Sequence, residues 1–306
     1  MPSGRQGSIH LFRLAEVDVF LHWSWFLVAV FEINARAKSY SSISWNVLEY
    51  LALFLIVLLH EYGHALACRS VGGLANRIVL WPLGGVAFVN PPPRAGATLW
   101  SIAAGPLVNV VLFPVLLLLS RLSRVLDSAN TISDPHALLR AIFYINFGLL
   151  FFNLLPIYPL DGGQILRSLL WFVLGRARSL MASAVFGLLG AAAFILYAVR
   201  EASGWLVILA AFILLNCMAG IKQARTLSRM AKLPRREGFA CPFCKSAPPL
   251  GELWKCHQCL VAFDTFQTNA TCPQCSTQCP VTMCFDCGRP SPMSEWAAGS
   301  MAASNP

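Results

Sequence analysis

Charge is what this 306-residue sequence has least of: Asp, Glu, Lys and Arg make up 12% of it, while 57% is hydrophobic. An ordinary soluble domain carries roughly 25% charged residues, so a single water-soluble globule is excluded. The deficit is sharpest in acids, since between Tyr50 and Val199 only Glu61, Asp127, Asp134 and Asp161 occur. Cysteine is nearly missing from the first 240 residues, where only Cys68 and Cys217 stand. That scarcity excludes a disulfide framework for the apolar body. Residues 1–16 are polar with scattered charge and lack the pattern of a cleavable signal, so the first apolar run is expected to serve as the insertion signal.

What is present is a series of apolar runs, each long enough for a hydrocarbon core of roughly 30 Å. Six spans are expected, near Val17–Ile33, Leu48–Cys68, Thr98–Leu119, Ala137–Ile157, Met181–Val199 and Gly204–Gly220. The fold class is therefore a polytopic α-helical membrane protein. Between the second and third spans, Ala75–Asn90 is β-branched and apolar around Pro82, Gly84 and Gly85; it is too short and broken for a spanning helix and predicts a membrane-associated hairpin. With six crossings both termini share a side. That side carries fourteen of the Lys and Arg residues, including Arg69, Arg77, Arg94, Arg167 and Arg176, against six on the other, so both termini are expected to be cytoplasmic. The +9 net charge is thereby a topology signal before it is a nucleic-acid signal, and nucleic acid is not expected as a partner.

An ionisable side chain deep in an apolar span costs several kcal/mol unless it pairs or binds an ion. The second span holds three such groups in L-L-H-E-Y-G-H-A-L, and on a helix His60 and His64 lie one turn apart on the same face, the spacing at which two imidazoles grip one zinc ion. Glu61 sits beside them, within reach of the water such an ion activates. A catalytic zinc needs a third protein ligand, and Asp161 is the candidate. It follows N-L-L-P-I-Y-P-L, in which Pro156 and Pro159 break the fourth span, and precedes two glycines that let the chain turn. The charge-based topology puts both motifs toward the same face without using their chemistry. Asn109, in A-G-P-L-V-N, is explained by close helix packing with an interhelical amide bond and receives no catalytic role. His22, between apolar and aromatic residues, reads as interfacial, and Cys68 and Cys217 read as buried apolar residues.

After Gly220 the composition changes to a basic linker, 221–239, then to a Cys-rich module, 240–289, and a Ser-, Ala- and Pro-containing tail, 290–306, expected to be disordered. Four C-x-x-C knuckles stand at Cys241 and Cys244, Cys256 and Cys259, Cys272 and Cys275, and Cys284 and Cys287. They imply two four-thiolate zinc ribbons, with sequential pairing the simplest and interleaved pairing open. Cys279 and His257 are surplus donors. Within the module three basic and three acidic side chains balance, which argues against a phosphate-binding surface and favours a cytosolic protein as the ribbons' partner.

Residues 10–220 resemble the site-2 protease family of intramembrane zinc metalloproteases. The resemblance rests on H-E-Y-G-H at 60–64, W-P-L-G-G-V at 81–86, A-G-P-L-V-N at 104–109 and N-L-L-P-I-Y-P-L-D-G-G at 153–163. It implies a metalloprotease domain over 1–220 in which His60, His64 and Asp161 bind zinc, Glu61 is general base and acid, and Asn153 orients substrate or stabilises the oxyanion. It further implies that the hairpin pairs with an unwound transmembrane substrate, in regulated proteolysis within a bacterial cytoplasmic membrane. The expected metal content is one catalytic and two structural zinc ions. A catalytically silent scaffold recruiting cytosolic proteins through its ribbons is the alternative. A metal transporter would need His or acidic residues on several spans, and the apolar spans offer one cluster.

Overall fold

The computed structural model describes residues 7–36, 38–81, 84–125, 127, 133–201 and 204–296, without the side chains of 84–87 and 205. The chain forms two compact units, Met1–Lys222 and Gln223–Pro306.

In the first unit, β1 (Ser8–Leu14) turns through Ala15 and Glu16 into β2 (Val17–His22), followed by α1 (Ser24–Ala35) and α2 (Ile43–Ser70). The hairpin β3 (Leu74–Trp81) and β4 (Gly84–Asn90) completes a four-stranded sheet of order β1-β2-β3-β4, in which β2 and β3 are parallel and the other pairs antiparallel. Val17, Val19, Ile78 and Leu80 are fully buried and pack with Val57, Leu58, Tyr62 and Ala65 of α2. Four further helices follow: α3 (Ala95–Val125), α4 (Asp134–Leu154), α5 (Asp161–Arg200) and α6 (Gly204–Ala231).

Among the described residues five helices, α2 to α6, are long and apolar enough to cross a membrane, one fewer than the sequence suggests. The expected first span is instead a strand joined to a helix of 12 residues. That helix measures about 18 Å, short of the roughly 30 Å core. Strand and helix together still run the length of α2. Leu14 O accepts from Tyr62 Oη and Glu16 pairs with Arg69 near one end of α2, while Arg36 pairs with Glu49 at the other. The six residues of β2, four of them apolar, therefore counted toward the length of a span while belonging to a sheet, because periodicity cannot separate a buried strand from a buried helix.

The expected hairpin is present as β3 and β4, with Pro82 and Leu83 outside the described residues. α4 stops at Leu154, before Pro156. α5 begins at Asp161 and is broken at Gly175, whose φ of +77° is the left-handed region that a side chain disfavours.

The second unit holds two small hairpins, β5 (Trp254–Lys255) with β6 (Ala262–Phe263) and β7 (Thr282–Met283) with β8 (Pro290–Ser291). Two boundaries differ from expectation. The linker is helical as far as Ala231, and its last arginines join the module: Arg235 pairs with Asp286 at 2.6 Å and Arg236 with Asp264 at 2.5 Å. The expected tail begins too early. Residues 290–291 form β8 and Trp296 is 1% exposed, in a core with Trp254 and Phe266, because a large aromatic gains most by leaving water. Residues 297–306 lie outside the described residues.

Candidate metal centres

α2 carries His60 and His64 one turn apart, both buried. Asp161 reaches them from the first residue of α5, about 100 positions later in sequence. The chain between α4 and α5 folds tightly enough that a Cβ on Gly162 would collide with the carbonyls of Leu154 and Leu155, and one on Gly163 with the backbone of Ile157 and Tyr158. This close return seats the carboxylate against the imidazoles. His60 Nε2 lies 3.0 Å from Asp161 Oδ2, His64 Nε2 lies 3.3 Å from the same oxygen, and the two Nε2 atoms are 3.1 Å apart.

The opposite edges of the two rings decide their tautomers. His60 Nδ1 donates to Asn109 Oδ1 at 2.6 Å, and His64 Nδ1 donates to the carbonyl of Ser101 at 2.9 Å. A neutral imidazole that donates from Nδ1 presents a lone pair at Nε2. Two lone pairs and a carboxylate oxygen therefore face one another, an arrangement that repels itself unless a cation sits between them. The edges of the triangle agree with this: tetrahedral zinc with bonds of about 2.05 Å separates its ligands by about 3.3 Å. The three residues fit a zinc ion and leave one tetrahedral position for a reactant.

Residues left without a site role in the sequence reading build this orientation. Asn109 is fully buried on α3, and its Nδ2 donates to Asn146 Oδ1 at 2.8 Å, while Asn146 Nδ2 returns a bond to the carbonyl of Asn109 at 3.0 Å. A chain of bonds thus runs from His60 through α3 to α4. Asn146 is itself fully buried, and its signal was an amide in the middle of an apolar span. Gly105 belongs to the A-G-P-L-V-N motif read from sequence as close helix packing, and the packing it permits is at the site itself. A Cβ there would strike the rings of His64 and His60, and one on Gly63 would stand 2.7 Å from the carbonyl of Ala104, so the glycines let α2 and α3 approach until the rings fit between them.

Glu61 is 6% exposed, next to His60 on α2. Asn153 is half-buried one residue before the end of α4, and its amide makes no hydrogen bond among the described residues. His22 stacks on Trp81 at 4.2 Å, and Cys68 and Cys217 are buried.

The eight knuckle cysteines form two groups, but nested rather than sequential. Cys241, Cys244, Cys284 and Cys287 form one, with Cys256, Cys259, Cys272 and Cys275 inside it as the other. Sγ separations of 3.6 and 3.7 Å in the outer group and 3.5 Å in the inner one approach the roughly 3.8 Å edge of a tetrahedral zinc-thiolate site. Burial, with the neighbouring Cys244 and Cys241, pushes the Cys284 thiol up, so four thiolates need a cation to coexist. The sequential expectation fails because β5–β6 and β7–β8 are separate hairpins, and the first knuckle comes back to the last through the core of Trp254, Phe266 and Trp296. Cys279 stands outside both groups, 3.9 Å from His257 Nδ1.

Two family models match the chain between residues 27 and 197. The model of Peptidase M50B-like proteins matches 27–152 and that of Peptidase family M50 matches 120–197. A zinc metalloprotease of Methanocaldococcus jannaschii is 36% identical over 180 residues, 59% of this chain and 50% of that protein. Stage IV sporulation protein FB of Bacillus subtilis is 37% identical over 120 residues, 38% of each chain. The chain thus spans about half the length, or less, of these relatives. In a solved structure, the site-2 protease from Methanocaldococcus jannaschii superposes with a TM-score of 0.51 at 29% identity, covering 70% of this chain and 95% of that one.

Proposed function

The membrane-spanning part of this chain belongs to the site-2 protease family, and from that premise we propose that the protein is an intramembrane zinc metalloendopeptidase acting on transmembrane segments of membrane proteins in regulated proteolysis. The observation that carries the reading is the triangle of His60, His64 and Asp161, with both Nδ1 donors turned away from it and Glu61 alongside.

His60, His64 and Asp161 hold the metal. Bound zinc would supply a Lewis acid that polarises the peptide carbonyl and lowers the pKa of water to about 7. Glu61 takes the proton of the attacking water and returns it to the leaving amine. Its burial keeps that proton from bulk solvent. Asn153, its amide uncommitted, orients the scissile peptide. Hydrolysis also requires the substrate helix to unwind, because its carbonyls are otherwise bonded within the turn. β4 is an edge strand of the sheet and offers backbone groups for an unwound segment to pair with.

The excess of basic residues at the metal-site face supports a reading in which that face and both termini are cytoplasmic, in a protein of a bacterial cytoplasmic membrane. The eight knuckle cysteines hold two structural zinc ions, and their module docks a cytosolic protein; Phe243, Leu260, Val281 and Met283 are exposed on it.

The test compares membrane fractions of cells making wild-type protein with those making Glu61→Gln. Shortened membrane proteins are expected only with wild type, with a loss of at least about 10²-fold in the variant, while its intramembrane zinc content stays unchanged. Cleavage retained in metal-replete Glu61→Gln overturns the role of Glu61.

A further inference from the structure

Eight of the eleven cysteines form the two ribbon groups and two, Cys68 and Cys217, are buried in the membrane-spanning unit, which leaves Cys279. The chain brings it against the inner group. Residues 277–279 return antiparallel to 270–272: Cys272 N donates to the carbonyl of Thr277 at 2.9 Å, Thr271 bridges Gln278, and Cys279 N donates to the carbonyl of Ala270 at 2.7 Å. Opposed residues of such a pair share a face with those two positions away, so the Cys272 and Cys279 side chains point to the same side.

Cys279 packs against the buried core of Cys256, Phe263 and Cys272. Its Sγ stands 3.9 Å from Nδ1 of His257, the residue that follows Cys256, and Cys256 bears on it electrostatically more than Cys272 or Cys275 does. It is half-buried and lines a cavity of about 420 Å³ with Lys255, Phe263, Val281 and Met283. Four thiolates already complete a tetrahedron, so a fifth thiol has no place on the metal. What it can supply at that position is the second sulfur of a disulfide, with an imidazole beside it to carry the proton. The mostly apolar lining of the cavity favours a small neutral oxidant over a charged one.

We propose that Cys279 is the resolving thiol of a peroxide-sensitive ribbon: hydrogen peroxide joins it to Cys256 in a disulfide, and the inner group gives up its zinc. The inference rests on the reading that the inner four thiols hold zinc, and makes no use of the protease site. A coordinating thiol is deprotonated and nucleophilic. The Cys256 sulfur attacks one peroxide oxygen, the O–O bond breaks, hydroxide leaves and the cysteine becomes a sulfenic acid. Cys279 then attacks that sulfur. Its proton passes to His257, the S–S bond forms as the S–O bond breaks, and the departing hydroxide takes the proton from His257 to leave as water. Each sulfur gives up one electron, and the peroxide oxygens receive both. With Cys256 in a disulfide, three thiolates remain of the four that close the inner site.

The experiment uses the purified full-length protein. Before oxidation, maleimide labelling reads the inner group: protection of Cys256, Cys259, Cys272 and Cys275 is expected, and rapid labelling of all four overturns the zinc reading and the proposal together. Hydrogen peroxide is then added, released zinc is followed with a chromogenic chelator, and disulfides are mapped by mass spectrometry without reduction. Wild type is expected to release about one zinc per chain and to carry a Cys256–Cys279 disulfide, both reversed by a thiol reductant with added zinc. Cys279→Ser is expected to release zinc at least about tenfold more slowly and to accumulate sulfenic acid at Cys256, trapped by dimedone; His257→Gln accumulates the same species with Cys279 in place. Zinc released from metal-replete Cys279→Ser as fast as from wild type overturns the proposal, with the zinc reading intact. So does a wild-type map in which Cys279 is joined to no cysteine or to one other than Cys256, a result that needs no variant to fold.

Discussion

The metal centre between the helices and the two ribbons solve the same problem with opposite distributions of information. Each ribbon brings together four thiols from short knuckles, enough to fill a tetrahedron with protein ligands alone. The intramembrane centre brings together three donors from two helices, a set that would leave a fourth position open, the difference between a structural site and a reactive one. It also needs support from beyond its ligands: Asn109 and Ser101 turn the imidazoles, and Gly105 makes room for them. A module as small as the ribbons is expected to draw much of its folding energy from metal, whereas the triangle sits among long helices that pack against one another.

The largest effects should separate the two regions outright. His60→Ala or Asp161→Ala is expected to abolish proteolysis and intramembrane zinc while leaving ribbon zinc intact; Cys284→Ala is expected to do the reverse for the outer ribbon. In Cys284→Ala, a maleimide should label Cys241 and Cys244 far faster than Cys256 and Cys259, whereas a sequential arrangement would expose Cys272 and Cys275 instead. Elemental analysis together with mass spectrometry of the labelled protein decides both points.

Chelation sharpens the contrast in folding. Removing zinc from the full-length protein should open residues 240–296 to limited proteolysis, because metal affinity in so small a module is folding energy. The helices from α2 to α5 should stay protected, and equal loss of protection in both regions would show that the membrane unit also depends on metal.

Gly105→Ala tests whether the triangle depends on helix spacing. The methyl group meets both rings, and overpacking of this kind costs about 1–3 kcal/mol. Weakened intramembrane zinc affinity and lost cleavage are expected, with both ribbons unaffected. The smallest effects belong to the amides. Asn109→Ala should weaken intramembrane zinc binding by about 10- to 100-fold in chelator competition, with Asn146→Ala following by less, since it reaches His60 only through Asn109. Equal zinc affinity in both variants and wild type would reduce the bond chain to helix packing.

Much of the site was legible because its chemistry is compressed into short motifs. His60, Glu61 and His64 follow helical spacing, and Asp161 stood out because so few acids occur in the apolar body. Pro156 does end α4, as the rule for proline requires. The first span misled because Val17–Ile33 has the apolar length of a helix, and only pairing with β3 shows that its first six residues are a strand. The ribbon cysteines were legible as ligands and illegible as sets, since a C-x-x-C spacing fixes two ligands of a tetrahedron and says nothing about the other two. Asn109 was read as helix packing and Asn146 was passed over, because an amide inside an apolar span looks the same from sequence whether it glues helices or steers a ligand.

Sequence alone determined the chemical vocabulary of this protein: an apolar body, two imidazoles and a glutamate at helical spacing in one span, a lone aspartate after another, and four thiol knuckles. Those are local properties of residue type and short-range spacing. Tertiary structure decided which donors share a centre, which way each imidazole is turned, and how a strand and a short helix together make the first passage along α2. These depend on contacts between residues tens to about a hundred positions apart, and only the packing of α2, α3 and α5, and of the ribbon core, brings such residues within bonding distance.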